Sequence, residues 1–213
     1  MTAKQERIYD RAIRIRRGEH RSRKDALAKC IRVLTTAPIL SLVLYTVLYC
    51  AVPGCATPAQ YAVTLLLYTV LPLTAYPLQP LLPPFRDRGR QGQRTLAMIM
   101  ANVGYLCSIV YAMFAGVGSV LLTLYLTYVF SCTALLVIDK VFHFHASGHA
   151  CGLCGPIAAL VYFTGWYSLA AGAVLYALVL WGSLRMKRHT VPQFLTGGVV
   201  PVVIFLCLAS VLL

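Results

Sequence analysis

Charge in this chain is confined to four short islands, and that confinement limits the fold more than any other feature. All nineteen Lys and Arg residues fall within them. Eleven lie in residues 1–32, and Arg86, Arg88, Arg90 and Arg94 form the second group. Lys140 stands alone, and Arg185, Lys187 and Arg188 form the last. The six acids lie in or beside the first three islands. Between the islands the chain is apolar and uncharged. Only 12% of its residues are charged, against about 25% in an ordinary soluble domain. The pattern predicts an all-α fold: a polytopic integral membrane helical bundle with about six to seven transmembrane helices.

The breaks in the apolar blocks give the spans. Residues 33–85 hold two, at 33–52 and 58–80, separated at Pro53-Gly54 and Pro58. Residues 95–138 hold two more, broken near Gly116 and Gly118. Residues 150–184 hold a shorter pair broken near Gly165, and residues 193–213 form the last span. Two crossings separate each charged island from the next, so all four islands share one membrane face. The excess of Lys and Arg makes that face cytoplasmic. The expected arrangement has seven spans, with the N-terminus inside.

Residues 1–32 form a basic N-terminal cytoplasmic segment, and residues 33–213 the membrane domain. The first segment has no early apolar run and does not read as a cleavable signal. Its Ile and Ala positions alternate weakly with Arg and Lys. Contact with anionic headgroups is one reading, and a solvated anchor that fixes orientation is the other. The net charge of +13 sits in membrane-flanking positions, so no nucleic acid partner is expected.

One polar stretch interrupts this apolar chain. His143, His145, Ser147, Gly148, His149 and Cys151 lie together at the third island. Titratable groups within a membrane protein are functional candidates by default. Cys151 and Cys154 form a C-x-x-C, but at the start of a membrane helix rather than after a strand, so a redox role is set aside. His143, His145, His149, Cys151 and Cys154 are ligand types, yet no second Cys/His pair follows at finger-like spacing and no carboxylate is placed in the sequence to complete a catalytic triad of ligands. No metal is expected. Tyr45, Tyr49, Trp166 and Trp181 fall near span ends and fit interfacial belts.

The cytoplasmic ends bring three polar groups to one depth: Arg86 to Arg94, Ser147 to His149, and Arg185 to Thr190. Guanidinium forks suit phosphate oxygens, and amides at a helix start suit an anion. A pair of imidazoles can supply a nucleophile and a general acid. That combination points to phosphoryl transfer.

The order of basic cluster, Ser147-Gly148-His149, and His189 before a last helix resembles the type-2 phosphatidic acid phosphatase superfamily, over roughly residues 84–200. Its motifs run Lys-x6-Arg-Pro, Pro-Ser-Gly-His and Ser-Arg-x5-His-x3-Asp. Here Ala146 replaces the proline, no Lys-x6-Arg-Pro can be drawn, and Gly182 and Ser183 occupy the Ser-Arg register. Gln193 stands in place of the aspartate. The resemblance implies a divergent, metal-independent phosphatase without cofactor, acting on a lipid phosphate or a polyprenyl (di)phosphate. His189 would attack phosphorus and form a phosphohistidine. His149 would protonate the leaving oxygen and then activate water. Ser147, Gly148, Arg86, Arg88, Arg94, Arg185 and Arg188 would hold the phosphoryl oxygens, and Gln193 would orient His189. The alternative is a non-catalytic relative, which the altered third motif would suit, or a small membrane transporter, whose polar groups should lie nearer the membrane midplane than these span ends.

Overall fold

The computed structural model describes residues 23–213, so the surface-helix reading of residues 1–22 lies outside the described residues. Helices carry almost all of it, and the described residues contain no strand. α1 (Arg23–Leu34) and α2 (Ala37–Ala51) meet at a bend of 53°. α3 follows over Pro58–Leu81, then the single turn α4 (Pro83–Arg86). α5 (Gly89–Ala115), α6 (Ser119–Val141), α7 (Gly148–Thr164), α8 (Trp166–Arg185) and α9 (Val191–Leu212) complete the chain.

Among the described residues, α3, α5 (from Gln91), α6, α8 and α9 are each long and apolar enough to cross a membrane, and the bent α1–α2 pair makes a sixth when counted as one broken span. The expected breaks near Pro53, Gly116 and Gly165 are where helices end. Two details differ. The expected first span at 33–52 is divided, because Pro38 opens α2 and a helix running into it from α1 would be disfavoured. α5 starts at Gly89, so Arg94 is helical rather than part of a loop. The expected fifth span is α7, which is apolar but 17 residues long.

Local chemistry explains several starts. Thr57 caps α3 by accepting from the Gln60 amide at 3.2 Å, while the Thr57 amide donates to Gln60 Oε1 at 2.9 Å, a reciprocal capping box. Within α3, Pro72 lacks an N–H and its ring crowds the carbonyl four residues back. The helix widens into a π turn at Leu66–Val70, where the Leu71 amide reaches the Leu66 carbonyl.

That turn feeds Tyr68 into a buried tyrosine cluster with Tyr45, Tyr105, Tyr125 and Tyr128. Tyr68 Oη and Ser108 Oγ are 2.8 Å apart, and Ser41 Oγ and Tyr128 Oη 2.9 Å. Thr64 and Tyr125 are also hydrogen-bonded. The hydroxyls of Tyr68, Tyr125 and Tyr128 are thus paired inside an apolar interior, while the buried Tyr45 hydroxyl has no hydrogen-bond partner among the described residues. Tyr45 is therefore a core residue, 2% exposed, and not part of an interfacial belt. Trp166, by contrast, is well exposed.

α7 occupies the middle of the bundle, packed on α9, α8, α2 and α6. Its closest neighbour is α9. Gly197 allows this: a Cβ there would lie 2.3 Å from the Ser147 carbonyl oxygen.

Candidate functional site

The site is assembled at the start of α7. Ser147 is the N-cap residue, its Oγ accepting from the Ala150 amide at 3.3 Å. This leaves Gly148 and His149 in the first turn, where unpaired amides gather. His149 Nε2 lies 3.0 Å from Thr35 Oγ1. Thr35 also donates to the Ile31 carbonyl at 2.8 Å. A hydroxyl whose single hydrogen serves Ile31 accepts from Nε2–H, and that tautomer keeps Nδ1 as the basic nitrogen.

His189 lies in the short connection from α8 to α9. Lys187, at φ +50°, ends α8 in the left-handed region. The Arg188 amide then donates to the Ser183 carbonyl at 3.0 Å. Beyond His189, the Thr190 amide donates to Gln193 Oε1 at 3.0 Å, which starts α9. The Gln193 backbone carbonyl accepts from the Ser147 amide at 2.9 Å. Gln193 thus ties the His189 connection to the start of α7.

The two imidazoles lie within reach of each other's charge. Arg32 and Arg94 act on both, and Arg188 acts on His189 and on Arg32. Burial lowers the His189 pKa below its ordinary value near 6.5, and Arg32, Arg94 and Arg188 lower it further. The Gln193 amide oxygen, an acceptor toward the imidazole, opposes them. Among the described residues, no carboxylate pairs with Arg32, Arg94 or Arg188. Three guanidiniums gathered around two imidazoles without a counter-charge make a site that favours an anion.

The remaining residues singled out from the sequence are placed as follows. Arg185 Nε lies 2.6 Å from Asp25 Oδ1. Arg86 Nε lies 3.6 Å from Asp87 Oδ1, both well exposed. Arg88 precedes α5 and is exposed. None of Arg86, Arg88 and Arg185 is among the charges acting on the histidines. Ser147 is fully buried, its amide taken by Gln193 and its Oγ by Ala150. His145 pairs with Asp139 at an exposed position. Cys151 and Cys154 are free thiols. Among the described residues, no group of three or more His, Cys, Asp or Glu side chains is arranged to hold a metal ion.

Two residues escaped the sequence reading. Arg32 belongs to the island read as an anchor, yet its Nη1 donates to Ser183 Oγ at 2.5 Å. Thr35 falls inside a predicted span, yet meets His149. The one signal in the sequence was negative: an arginine was missing at 183, and the fold brings a guanidinium to that residue from elsewhere. The chain matches no known protein family, no curated protein and no solved structure.

Proposed function

We propose that this protein is a membrane-embedded phosphatase that hydrolyses a lipid phosphate or polyprenyl (di)phosphate through a phosphohistidine, as the sequence resemblance implies. The observation that carries the reading is the meeting of His149 and His189 with Arg32, Arg94 and Arg188, free of any carboxylate among the described residues. An anion with several oxygens satisfies such a set, and a phosphate satisfies it with two-point contacts.

In this mechanism neutral His189 attacks phosphorus, and the bond to the leaving lipid oxygen breaks. Protonated His149 gives its proton to that oxygen. Neutral His149 then takes a proton from water as the water attacks phosphorus, the P–N bond breaks, and phosphate leaves. The guanidiniums stabilise charge on the transferring oxygens. In the empty site they disfavour a protonated imidazole. A bound phosphate dianion offsets that field, which lets His149 carry the proton the leaving group needs. Gln193 accepts from the His189 ring with a neutral amide oxygen, a weaker partner for imidazolium than a carboxylate.

We assign the hydrocarbon tail to an apolar pocket of the bundle. An apolar cavity of about 260 Å³ is lined by Cys154, Tyr176, Leu195, Gly198, Val199 and Val202. We assign the site to the cytoplasmic face from the positive-inside pattern.

The test is phosphate release from a panel of lipid phosphates by purified protein in detergent with EDTA present. Activity in the wild type, and its loss in His189→Ala and His149→Ala, is the expected result. Full activity in both variants sinks the mechanism. Release from no lipid by the wild type favours the non-catalytic alternative, which the exchange of aspartate for Gln193 supports.

A further inference from the structure

Arg32 is held in a way that a topology anchor does not require. It sits in the last turn of α1, half-buried, on the same helix face as Asp25 and Ala28. Spacings of three and seven residues put these three side by side. That face lies against the end of α8. The Asp25–Arg185 pair joins the two helices at 2.6 Å. The helices touch at Gly182, where a Cβ would lie 3.4 Å from the Ala28 carbonyl oxygen, an ordinary contact distance. Arg32 then reaches Ser183, which is 0% exposed.

Ser183 does two things at once. Its hydroxyl accepts from Arg32, and its carbonyl accepts from the Arg188 amide, next to His189. Three residues beyond Arg32, Thr35 meets His149. The end of α1 therefore touches both histidine-bearing segments. Only one N–H of the Arg32 guanidinium is engaged among the described residues. A guanidinium carries five N–H donors, and Arg32 faces two further guanidiniums, Arg94 and Arg188. A purely structural contact to Ser183 needs one donor and no charge. Gathering this charge beside two others is unfavourable unless an anion joins them.

We propose that α1 is a working part of the site and that Arg32 is a phosphate-binding residue. Ser183 aims it, while the Asp25–Arg185 pair seats the helix that delivers it. The proposal rests on the phosphate reading above. The basic N-terminal segment is thereby coupled to the site: whatever undocks α1 from α8 withdraws a ligand for the phosphoryl group.

The experiment uses full-length protein in detergent, with orthovanadate as phosphate mimic and thermal stability as a second readout. Arg32→Gln keeps a donor for Ser183 and removes the charge. It is expected to weaken vanadate binding about tenfold or more while leaving the melting temperature of the unliganded protein near that of the wild type. Arg32→Ala is expected to bind as weakly, and the double variant Arg32→Ala/Ser183→Arg, which places a guanidinium at the same spot from α8, to recover binding. Vanadate binding within twofold of wild type in Arg32→Gln overturns the proposal. So does a loss of binding matched by an equal loss in both stability and the double variant. If the wild type binds vanadate through Arg32 but hydrolyses no lipid phosphate, the phosphatase reading fails and the anion-binding role stands. If the wild type binds no vanadate, both fail.

Discussion

Replacing Gly197 by Ala tests whether the join between α7 and α9 holds the site together. The added Cβ would lie 2.3 Å from the Ser147 carbonyl oxygen, 2.8 Å from its nitrogen and 2.9 Å from its carbonyl carbon. All three are backbone atoms, so no side chain can swing away and the helices must separate. Separation stretches the bond from the Ser147 amide to the Gln193 carbonyl, 2.9 Å at present. Overpacking costs about 1–3 kcal/mol, and a buried amide left without its partner about 1–3 kcal/mol more. The intrinsic helix gain of Ala over Gly returns about 1 kcal/mol. The net expectation is a destabilisation of about 3 kcal/mol.

A graded series separates clash from propensity. At Gly148 a Cβ meets nothing within 4 Å, at Gly155 it meets Pro201 Cβ at 3.3 Å, and at Gly152 it meets Ala37 Cβ at 2.7 Å. Gly152, Gly155 and Gly197 lie inside helices and collect a similar helix gain, while Gly148, at the first helical position, collects less. Unfolding in mixed micelles with increasing denaturing detergent should rank them Gly148, Gly155, Gly152, Gly197, from most to least stable. If Gly197→Ala is as stable as Gly148→Ala, α9 does not dock on the Ser147 turn as described. Gly197→Ala should also lose phosphatase activity, since Gln193 and His189 move with α9.

Two further outcomes follow from the same geometry. The acid limb of kcat/KM should lie below pH 6.5, because burial and then Arg32 and Arg94 hold the His189 pKa down and the attacking form is neutral; Arg94→Gln should move that limb to higher pH, and an unchanged limb refutes the assignment. A lowered pKa also means that the stability His189 contributes is present above its unfolded pKa and is lost as pH falls through the folded value. Val199→Trp should fill the apolar cavity, raising KM for long-chain lipid phosphates while leaving a tail-less phosphate ester unaffected; equal effects on both substrates argue against a tail at that place.

The positions of the spans were readable because hydrocarbon tolerates no charge. Islands at Arg86–Arg94, Lys140 and Arg185–Arg188 had to mark helix ends, and Pro53, Gly116 and Gly165 had to mark turns. Ser147, His149, His189 and Gln193 stood out as polar groups that such a chain does not keep without reason. The same rule misled at Tyr45: a tyrosine near a predicted span end fits an interface equally well until its neighbours are known. It also hid Arg32, which composition cannot tell from the ten other cations of its island.

Sequence alone determined that the chain is a helical membrane bundle whose charged ends share one face, since the cost of burying charge acts on each residue by itself. Which charges meet was decided by tertiary structure. The bend at Pro38, the bare surface of Gly197 and the Asp25–Arg185 pair choose Arg32, Arg94 and Arg188 for the histidines and turn Arg185 away. Those choices depend on distances between helices far apart in the chain, and no local pattern carries them.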